Sequence, residues 1–264
     1  MLLKRIITAI ILIPIFVVAT WFGNPWFAIL IAIVAVLAGW EFYRIAHAIS
    51  TRPATYFGMF IILLLTLCVF CPVANLKIII IVIATIVSSI WILFKKNKDK
   101  AYLGLVWTLA GILYIGLLIS YWADLMVVDY GKWWVFWAII SVASCDIAAY
   151  FVGKQWGKEK LAPDISPNKT WIGSIGGAIA SIAVSVLLGI LFSLPVPIWE
   201  LVIMGLVMSV VAQCGDLVES FLKRTAGVKD SGRLLPGHGG ILDRIDSYIL
   251  LGPVVYYYVI CFAL

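Results

Sequence analysis

The segment Ile78–Phe94, IIIIVIATIVSSIWILF, contains no charged side chain and approaches the length of one membrane crossing, which takes about 20 apolar residues. Similar stretches recur along the chain of 264 residues, of which 64% are hydrophobic and 12% are charged. A water-soluble domain carries about 25% charged residues. The composition therefore excludes a soluble domain and predicts an integral membrane protein.

Long apolar runs define the expected architecture. A backbone in hydrocarbon must satisfy its own hydrogen bonds, and the alternation typical of barrel strands is missing, so each run is expected to be a helix. We predict an all-α polytopic membrane protein with about nine spans, forming one domain over residues 1–264, with N-terminal helices in 1–132 and catalytic helices in 133–264. The expected spans are Ile6–Phe22, Trp26–Glu41, Phe57–Val73, Ile78–Phe94, Gly104–Trp122, Trp133–Phe151, Trp171–Leu194, Ile198–Cys214 and Ile245–Leu264.

The basic residues predict the orientation, because cytoplasmic loops carry an excess of Lys and Arg. With the N-terminus in the cytoplasm, 17 of the 19 basic residues lie inside, and only Lys77 and Lys132 lie outside. Two long loops, 152–170 and 215–244, then face the cytoplasm, and polar chemistry is expected there. The net charge of +6 is explained by anionic lipid headgroups and topology rather than by nucleic acid.

The segment Gly215–Asp246, GDLVESFLKRTAGVKDSGRLLPGHGGILDRID, is the least membrane-like part of the chain. Asp243 and Asp246 are three residues apart, so on a helix they share one face. Asp216 and Glu219 repeat that spacing at the end of the eighth span. Carboxylates from two helix ends can bind Mg²⁺ together with substrate phosphates, and helix capping is the alternative role.

Basic side chains in the same segment are candidates for phosphate binding. No GxxxxGK[ST] motif is present, which excludes a Walker-type cradle, but the glycine-rich run 237–240 can offer backbone N–H groups to an anion. The general cytoplasmic bias of Lys and Arg, and a salt bridge between Glu219 and Lys223, remain open alternatives. The candidates are Lys223, Arg224, Lys229, His238 and Arg244, with Arg233 the expected bystander.

A second polar motif, SCDIAAYFVGKQWGKEKLAPDISPNKTWIG, covers Ser144–Gly173. Asp146 lies about five residues inside the end of the sixth predicted span, where an ionisable group suggests function unless a neighbouring Lys or Arg neutralises it. Ser166, Lys169 and Thr170 precede the seventh span, and a helix N-terminus is a natural anion site. Helix capping is the alternative for both hydroxyls, and Gly173 with Gly177 is typical of close helix packing.

The run Ser220–Asp246 resembles the signature of the phosphatidate cytidylyltransferase family: Ser, Lys-Arg, Lys-Asp, then P-x-H-G-G-x-x-D-R-x-D. The earlier motif resembles the same family through Asp146, Ala149-Tyr150, Gly153-Lys154, Gly157-Lys158 and SPNKTW. One departure is Ile172, which stands where family members commonly have glutamate.

The resemblance implies an enzyme that transfers a cytidylyl group from CTP to phosphatidate and releases pyrophosphate. It also implies Mg²⁺, with K⁺ reported alongside in some members, and a site on the cytoplasmic face of a multi-pass cell membrane protein, with bacterial inner membrane as the expected setting and homodimerisation left open. The implied metal ligands and catalytic acids are Asp216, Asp243 and Asp246. The other implied site residues are Lys223, Arg224 and His238 for catalysis, and Asp146, Ser166, Lys169, Thr170, Ser220, Lys229, Asp230 and Arg244 for substrate binding.

Two other functions are compatible with parts of the pattern. A CTP-dependent kinase of a long-chain alcohol would also pair Mg²⁺ with phosphates at the cytoplasmic face, but it would transfer the γ-phosphoryl group. A secondary transporter would place its polar groups near the bilayer midplane, often between related halves. The polar groups here are one-sided and no repeat is visible, so transport is disfavoured.

We expect a reporter fused after Leu264 to be active only as an extracytoplasmic marker, because nine spans place the termini on opposite faces. A fusion after Lys100, in a lysine-rich connection, should report the cytoplasm and serves as the control. A C-terminal reporter that is active only in the cytoplasm would contradict the nine-span topology.

Overall fold

Long apolar helices make up most of the protein in a computed structural model, which describes residues 2–71, 73–95, 98–235, 237 and 239–263. A 3-10 turn, Cys68–Phe70, extends α3, and a π-helical turn, Ile112–Leu117, joins α5 to α6. The helices before residue 128 are α1 (Leu2–Phe22), α2 (Trp26–Ala48), α3 (Thr55–Leu67), α4 (Leu76–Leu93), α5 (Lys98–Gly111) and α6 (Leu118–Leu125).

The later part of the chain adds five helices and a small antiparallel hairpin. Lys160 pairs with Thr170 and Ala162 with Ser166 in this hairpin, and a π-helical turn, Val259–Ala263, follows the last helix. The elements are α7 (Gly131–Trp156), β1 (Lys160–Ala162), β2 (Ser166–Thr170), α8 (Trp171–Leu191), α9 (Ile198–Thr225), α10 (Leu242–Ile249) and α11 (Leu251–Tyr258).

The prediction of an all-α, multi-pass membrane protein is confirmed. Within the described residues, seven helical stretches are long and apolar enough to cross a membrane. Two shorter apolar helices, Thr8–Phe22 and Thr55–Phe70, coincide with the first and third predicted spans. The count of nine crossings therefore stays a prediction.

The two predicted loops are shorter than expected, because polar residues end a hydrophobic run without ending its helix. Helix α7 continues past Phe151 to Trp156, and the hairpin occupies most of the remaining loop. Helix α9 continues past Cys214 to Thr225, because no glycine or proline follows Gly215 until Gly227. The irregular stretch between α9 and α10, residues 226–241, is called the α9–α10 loop below.

Lipid-facing apolar surface distinguishes this fold from a soluble one. Helix α4 buries only Ala84 and Ser88 among its side chains and exposes a series of large aliphatic residues that includes Ile78, Ile83 and Ile90. Because hydrocarbon solvates such side chains as well as a protein core does, helices in a membrane associate through close packing and hydrogen bonds.

The chain folds into two compact units. One unit comprises Met1–Val127 together with Leu222–Ile245, and the other comprises Val128–Phe221 together with Asp246–Leu264. The α9–α10 loop thus belongs to the first unit, although the helix that precedes it, α9, lies mostly in the second unit.

The core of the first unit forms around Tyr43 of α2. Its hydroxyl donates to the carbonyl oxygen of Thr108, 3.0 Å away. Its ring lies where a side chain at Gly58 or Gly111 would overlap it. An aliphatic cluster that includes Ile61, Leu65, Ala84 and Ile112 packs in the same unit.

The core of the second unit is the pair α7 and α8, which pack closely because glycines line their contact. A Cβ at Gly177 would lie 2.9 Å from the carbonyl oxygen and the Sγ of Cys145, and one at Gly173 would lie 2.7 Å from the carbonyl oxygen of Ala149. The packing role proposed for Gly173 and Gly177 is therefore confirmed. Ser185 donates to the carbonyl oxygen of Leu201 at 2.7 Å, a type of interhelical bond worth about 0.6 kcal/mol on average in membranes.

Candidate active site

A polar cavity of about 590 Å³ lies within the second unit. Its walls are the C-terminal end of α7, the hairpin, the first turn of α8 and the polar part of α9. The cavity brings together five of the residues predicted from the sequence, and it adds Lys154, Lys160, Asn168 and Gln213. The five predicted residues are Asp146, Ser166, Lys169, Thr170 and Asp216.

An ion pair crosses this cavity between Lys169 and Asp216. The Lys169 Nζ lies 2.8 Å from Oδ2 of Asp216, and both side chains are partly exposed, by 23% and 32%. Lys169 also donates to the carbonyl oxygen of Gln213, and Ser220 donates to Oδ1 of Asp216 at 3.3 Å. The pair is therefore accessible to a ligand that enters the cavity.

Asp146 has a different environment in the same cavity. Its side chain is exposed and lines the cavity with Asp216. Within the described part of the chain it forms no hydrogen bond or direct ion pair, although the charge of Lys169, the partner of Asp216, also acts on it. An unpaired carboxylate on an apolar helix is a strong candidate for ligand binding.

Thr170 serves as the N-cap of α8. Its backbone is extended, and its hydroxyl accepts a hydrogen bond from the N–H of Gly173 at 3.2 Å. The side chain packs where a Cβ at Gly153 or Gly157 would meet it. Capping, the alternative left open by the sequence, is therefore confirmed for Thr170, which still forms part of the cavity wall.

Gln213 is a site residue that sequence reasoning missed. Its amide nitrogen donates to Ser209 at 2.9 Å, and its amide oxygen accepts from the Ser174 hydroxyl. The available signal was its position three residues before Asp216, which puts both side chains on one face of α9. Lys154, which the motif contains but to which the sequence assigned no role, and Lys160 also line the cavity.

Asp246 belongs to the same unit as the cavity, and its backbone packs against Gly215 of α9. A Cβ at Gly215 would lie 2.5 Å from the Asp246 carbonyl oxygen, so the absence of a side chain at Gly215 lets α9 and α10 pack closely beside Asp216. The Asp246 carboxylate accepts from the N–H of Ser247 at 2.8 Å.

The first unit contains a second polar cluster, centred on Asp243 at the start of α10. Oδ1 of Asp243 lies 2.6 Å from the Lys223 Nζ, and the two side chains are only 8% and 13% exposed. Oδ2 of Asp243 accepts from the N–H of Gly240 at 2.8 Å and from the N–H of Ser231 at 3.1 Å. Lys223 therefore forms an ion pair with Asp243, whereas the sequence alone had suggested an ion pair with Glu219.

The remaining predicted residues differ in where they lie. His238 is outside the described residues. Glu219 is fully buried. The exposed residues are Arg224, Lys229, Asp230, Arg233 and Arg244.

Carboxylates that could hold a divalent cation lie in both clusters. Within the described ranges, which omit His238, no three carboxylate, imidazole or thiolate side chains are grouped closely enough to bind a metal ion. Mg²⁺, however, typically takes one or two protein carboxylates and completes its coordination with water and substrate phosphates. Asp146 and Asp216 supply such a pair in one cavity, so the residues fit Mg²⁺ that arrives with a phosphate ligand.

Comparison with known proteins adds an independent line of evidence. The model of a family described as "Cytidylyltransferase family" matches residues 3–262. The chain is 46% identical over 157 residues to the phosphatidate cytidylyltransferase of Bacillus subtilis (strain 168), a match that covers 59% of this chain and 58% of that protein. It is 35% identical over 261 residues to the phosphatidate cytidylyltransferase of Brucella suis biovar 1, with 98% and 93% covered. It is also 35% identical over 286 residues to that of Synechocystis sp., with 97% and 96% covered.

Proposed function

The chain belongs to the cytidylyltransferase family, and we propose that it transfers a cytidylyl group from CTP to phosphatidate in a membrane, yielding CDP-diacylglycerol and pyrophosphate. The observation that carries this proposal is the cavity of about 590 Å³ in which the acids Asp146 and Asp216 face the lysines Lys154, Lys160 and Lys169. Both signs of charge are needed there, since a triphosphate attracts lysines directly and attracts carboxylates only through a cation.

The reaction needs positioning more than an activated protein nucleophile. A phosphate oxygen of phosphatidate attacks the α-phosphorus of CTP, a new P–O bond forms, and the bond from the α-phosphorus to the bridging oxygen breaks, so that pyrophosphate leaves. The attacking oxygen is already anionic, and the main obstacle is repulsion between two phosphate groups. Cationic side chains and a bound metal ion lower that barrier.

We propose that Mg²⁺ binds with the nucleotide and that Asp146, Asp216 and Asp246 contribute ligands. For Asp243, the metal-binding role that the sequence suggests stays a separate prediction. When bound, Mg²⁺ would neutralise the developing charge on the transferred and leaving phosphates. A K⁺ ion, which the resemblance suggests, stays a further prediction.

The lysines are proposed to change partners when substrate binds. Lys169 and Lys223 now neutralise Asp216 and Asp243. Transfer of each ammonium group to a phosphate oxygen would free a carboxylate oxygen for the cation that enters with the nucleotide, so no carboxylate would be left without a counterion. We propose that three exposed basic residues bind further phosphate oxygens of the substrate: Arg224, Lys229 and Arg244. His238 is a further candidate for this role.

The setting that we propose is a bacterial cell membrane with the cavity open to the cytoplasm. The orientation rests on the distribution of basic residues, and CTP is a cytoplasmic metabolite. Phosphatidate would reach the site from the bilayer.

The direct test is purified protein in detergent, supplied with phosphatidate, Mg²⁺ and CTP labelled either on cytosine or on the γ-phosphate. We expect the cytosine label to appear in lipid and the γ-label in pyrophosphate, because cytidylyl transfer breaks the bond beyond the α-phosphorus. The γ-label in lipid would instead establish a kinase and contradict the proposal.

Replacing Asp146 by Asn tests the unpaired carboxylate. The change keeps the size of the side chain and removes its charge, so we expect turnover to fall by about 100- to 1000-fold, the usual cost of several kcal/mol of lost electrostatic stabilisation. The thermal stability in detergent should not fall. Asp129→Asn, which alters an exposed carboxylate in the turn before α7, is the matched control, and equal turnover in both variants would contradict a role for Asp146.

A Mg²⁺ titration distinguishes the proposed role of the acids from the proposed role of the lysines. Asp216→Asn and Asp243→Asn should raise the Mg²⁺ concentration that gives half-maximal rate, because each removes a charge that the cation needs. Lys169→Ala and Lys223→Ala should raise the KM for CTP without raising that Mg²⁺ requirement. An unaltered Mg²⁺ dependence in Asp243→Asn would restrict Asp243 to its ion pair with Lys223 and contradict its assignment as a metal ligand.

A further inference from the structure

Glu41 is the one acidic residue of the largely apolar helix α2. None of its surface is exposed. A carboxylate is costly to bury unless hydrogen-bond donors compensate it. Its surroundings therefore decide what it does.

The donors come from the α9–α10 loop and from the start of α10. Oε2 of Glu41 accepts from the Ser231 hydroxyl at 2.9 Å and from the N–H of Leu242 at 2.9 Å. Leu242 is the first residue of α10, where backbone N–H groups have no partner within the helix. Glu41 thus caps α10 with an anionic side chain supplied by a different helix, which the helix dipole also favours.

Two glycines of the loop lie directly against the Glu41 carboxylate. A Cβ at Gly232 would overlap Glu41, whose Oε1, Cδ and Cγ are its three nearest atoms. A Cβ at Gly240 would overlap Oε2 of Glu41 and the hydroxyl of Ser231. Gly240, one of the glycines that the sequence suggested for approach to a ligand, therefore admits a side chain of the protein itself, and so does Gly232.

The same contacts lead directly to Asp243. Ser231 donates its hydroxyl to Glu41 and its N–H to Asp243, 3.1 Å away. Gly240, which packs against Glu41, donates its N–H to Asp243 at 2.8 Å. Since Asp243 in turn binds Lys223, Glu41 is linked through one intermediate residue to an ion pair of the proposed site.

We propose that Glu41 is a positioning residue, which holds the α9–α10 loop and the start of α10 so that Asp243 and Lys223 are placed for reaction. It acts as a hydrogen-bond acceptor from within the membrane helix α2 and does not contact substrate. The effect on turnover rests on the proposed function, whereas the effect on loop structure does not.

The principal variants are Glu41→Ala, which removes the acceptor, and Glu41→Gln, which retains one acceptor oxygen for both donors. We expect turnover to fall by about 10- to 100-fold in Glu41→Ala, which corresponds to the free energy of about one hydrogen bond to a charged group, and by less than about fivefold in Glu41→Gln. Glu200→Ala is the matched control, because Glu200 also accepts a side-chain hydrogen bond, from Tyr258 at 2.7 Å, and it should retain full turnover.

Hydrogen exchange of the loop amides provides the readout that needs no activity. The N–H groups of Ser231, Gly240 and Leu242 should exchange faster in Glu41→Ala than in the parent protein and be nearly unchanged in Glu41→Gln. If the parent protein proves inactive with CTP and phosphatidate, this measurement still tests the role of Glu41. Unaltered exchange in Glu41→Ala would overturn it.

A double-mutant cycle tests whether Gly232 and Glu41 act through the contact seen here. Gly232→Ala alone should lower turnover, because its methyl group displaces the Glu41 side chain. In the Glu41→Ala background the same change should cost little more, since the atoms that it meets are gone. Losses that multiply in the double variant, or equal losses in Glu41→Gln and Glu41→Ala with normal exchange, would overturn the proposal.

Discussion

Hydrocarbon offers no partner to a charged group, and the polar structure of this protein depends on how its own atoms meet that constraint. The Asp124 carboxylate binds Lys77, Asp216 binds Lys169 and Asp243 binds Lys223. Glu41 uses a hydroxyl and a backbone N–H instead. Each of these four carboxylates thus has a hydrogen-bond donor or a lysine as its partner. Asp146 differs, because within the described residues it forms no hydrogen bond or direct ion pair and is exposed in the cavity.

The lysine pairs also suggest how a charged site can exchange partners. Carboxylates and ammonium groups neutralise one another in the pairs Lys169 with Asp216 and Lys223 with Asp243. Breaking a partly exposed pair such as Lys169 and Asp216 costs little, since such pairs contribute at most about 1 kcal/mol, so substrate can recruit the lysine without a large penalty.

Much of the candidate site could be predicted from local patterns. Asp146, Lys169 and Asp216 stand out as polar residues at the ends of apolar runs, and the cavity unites them. Gln213 escaped notice although it stands three residues before Asp216, and Glu41 escaped notice because it closes the predicted span Trp26–Glu41, where an acidic residue is ordinary. Thr170 carried two valid interpretations, and only the position of the Gly173 N–H established that it is a cap.

The sequence by itself determined that the chain is a helical membrane protein and which segments carry its chemistry, because hydropathy and local spacing depend on neighbouring residues alone. Only the tertiary structure decided which lysine each carboxylate binds and why the loop needs glycine at 232 and 240. Those outcomes depend on groups far apart in the chain, such as Glu41 and Leu242. A hydrogen bond between such residues exists only after helices have packed, so no local pattern encodes it.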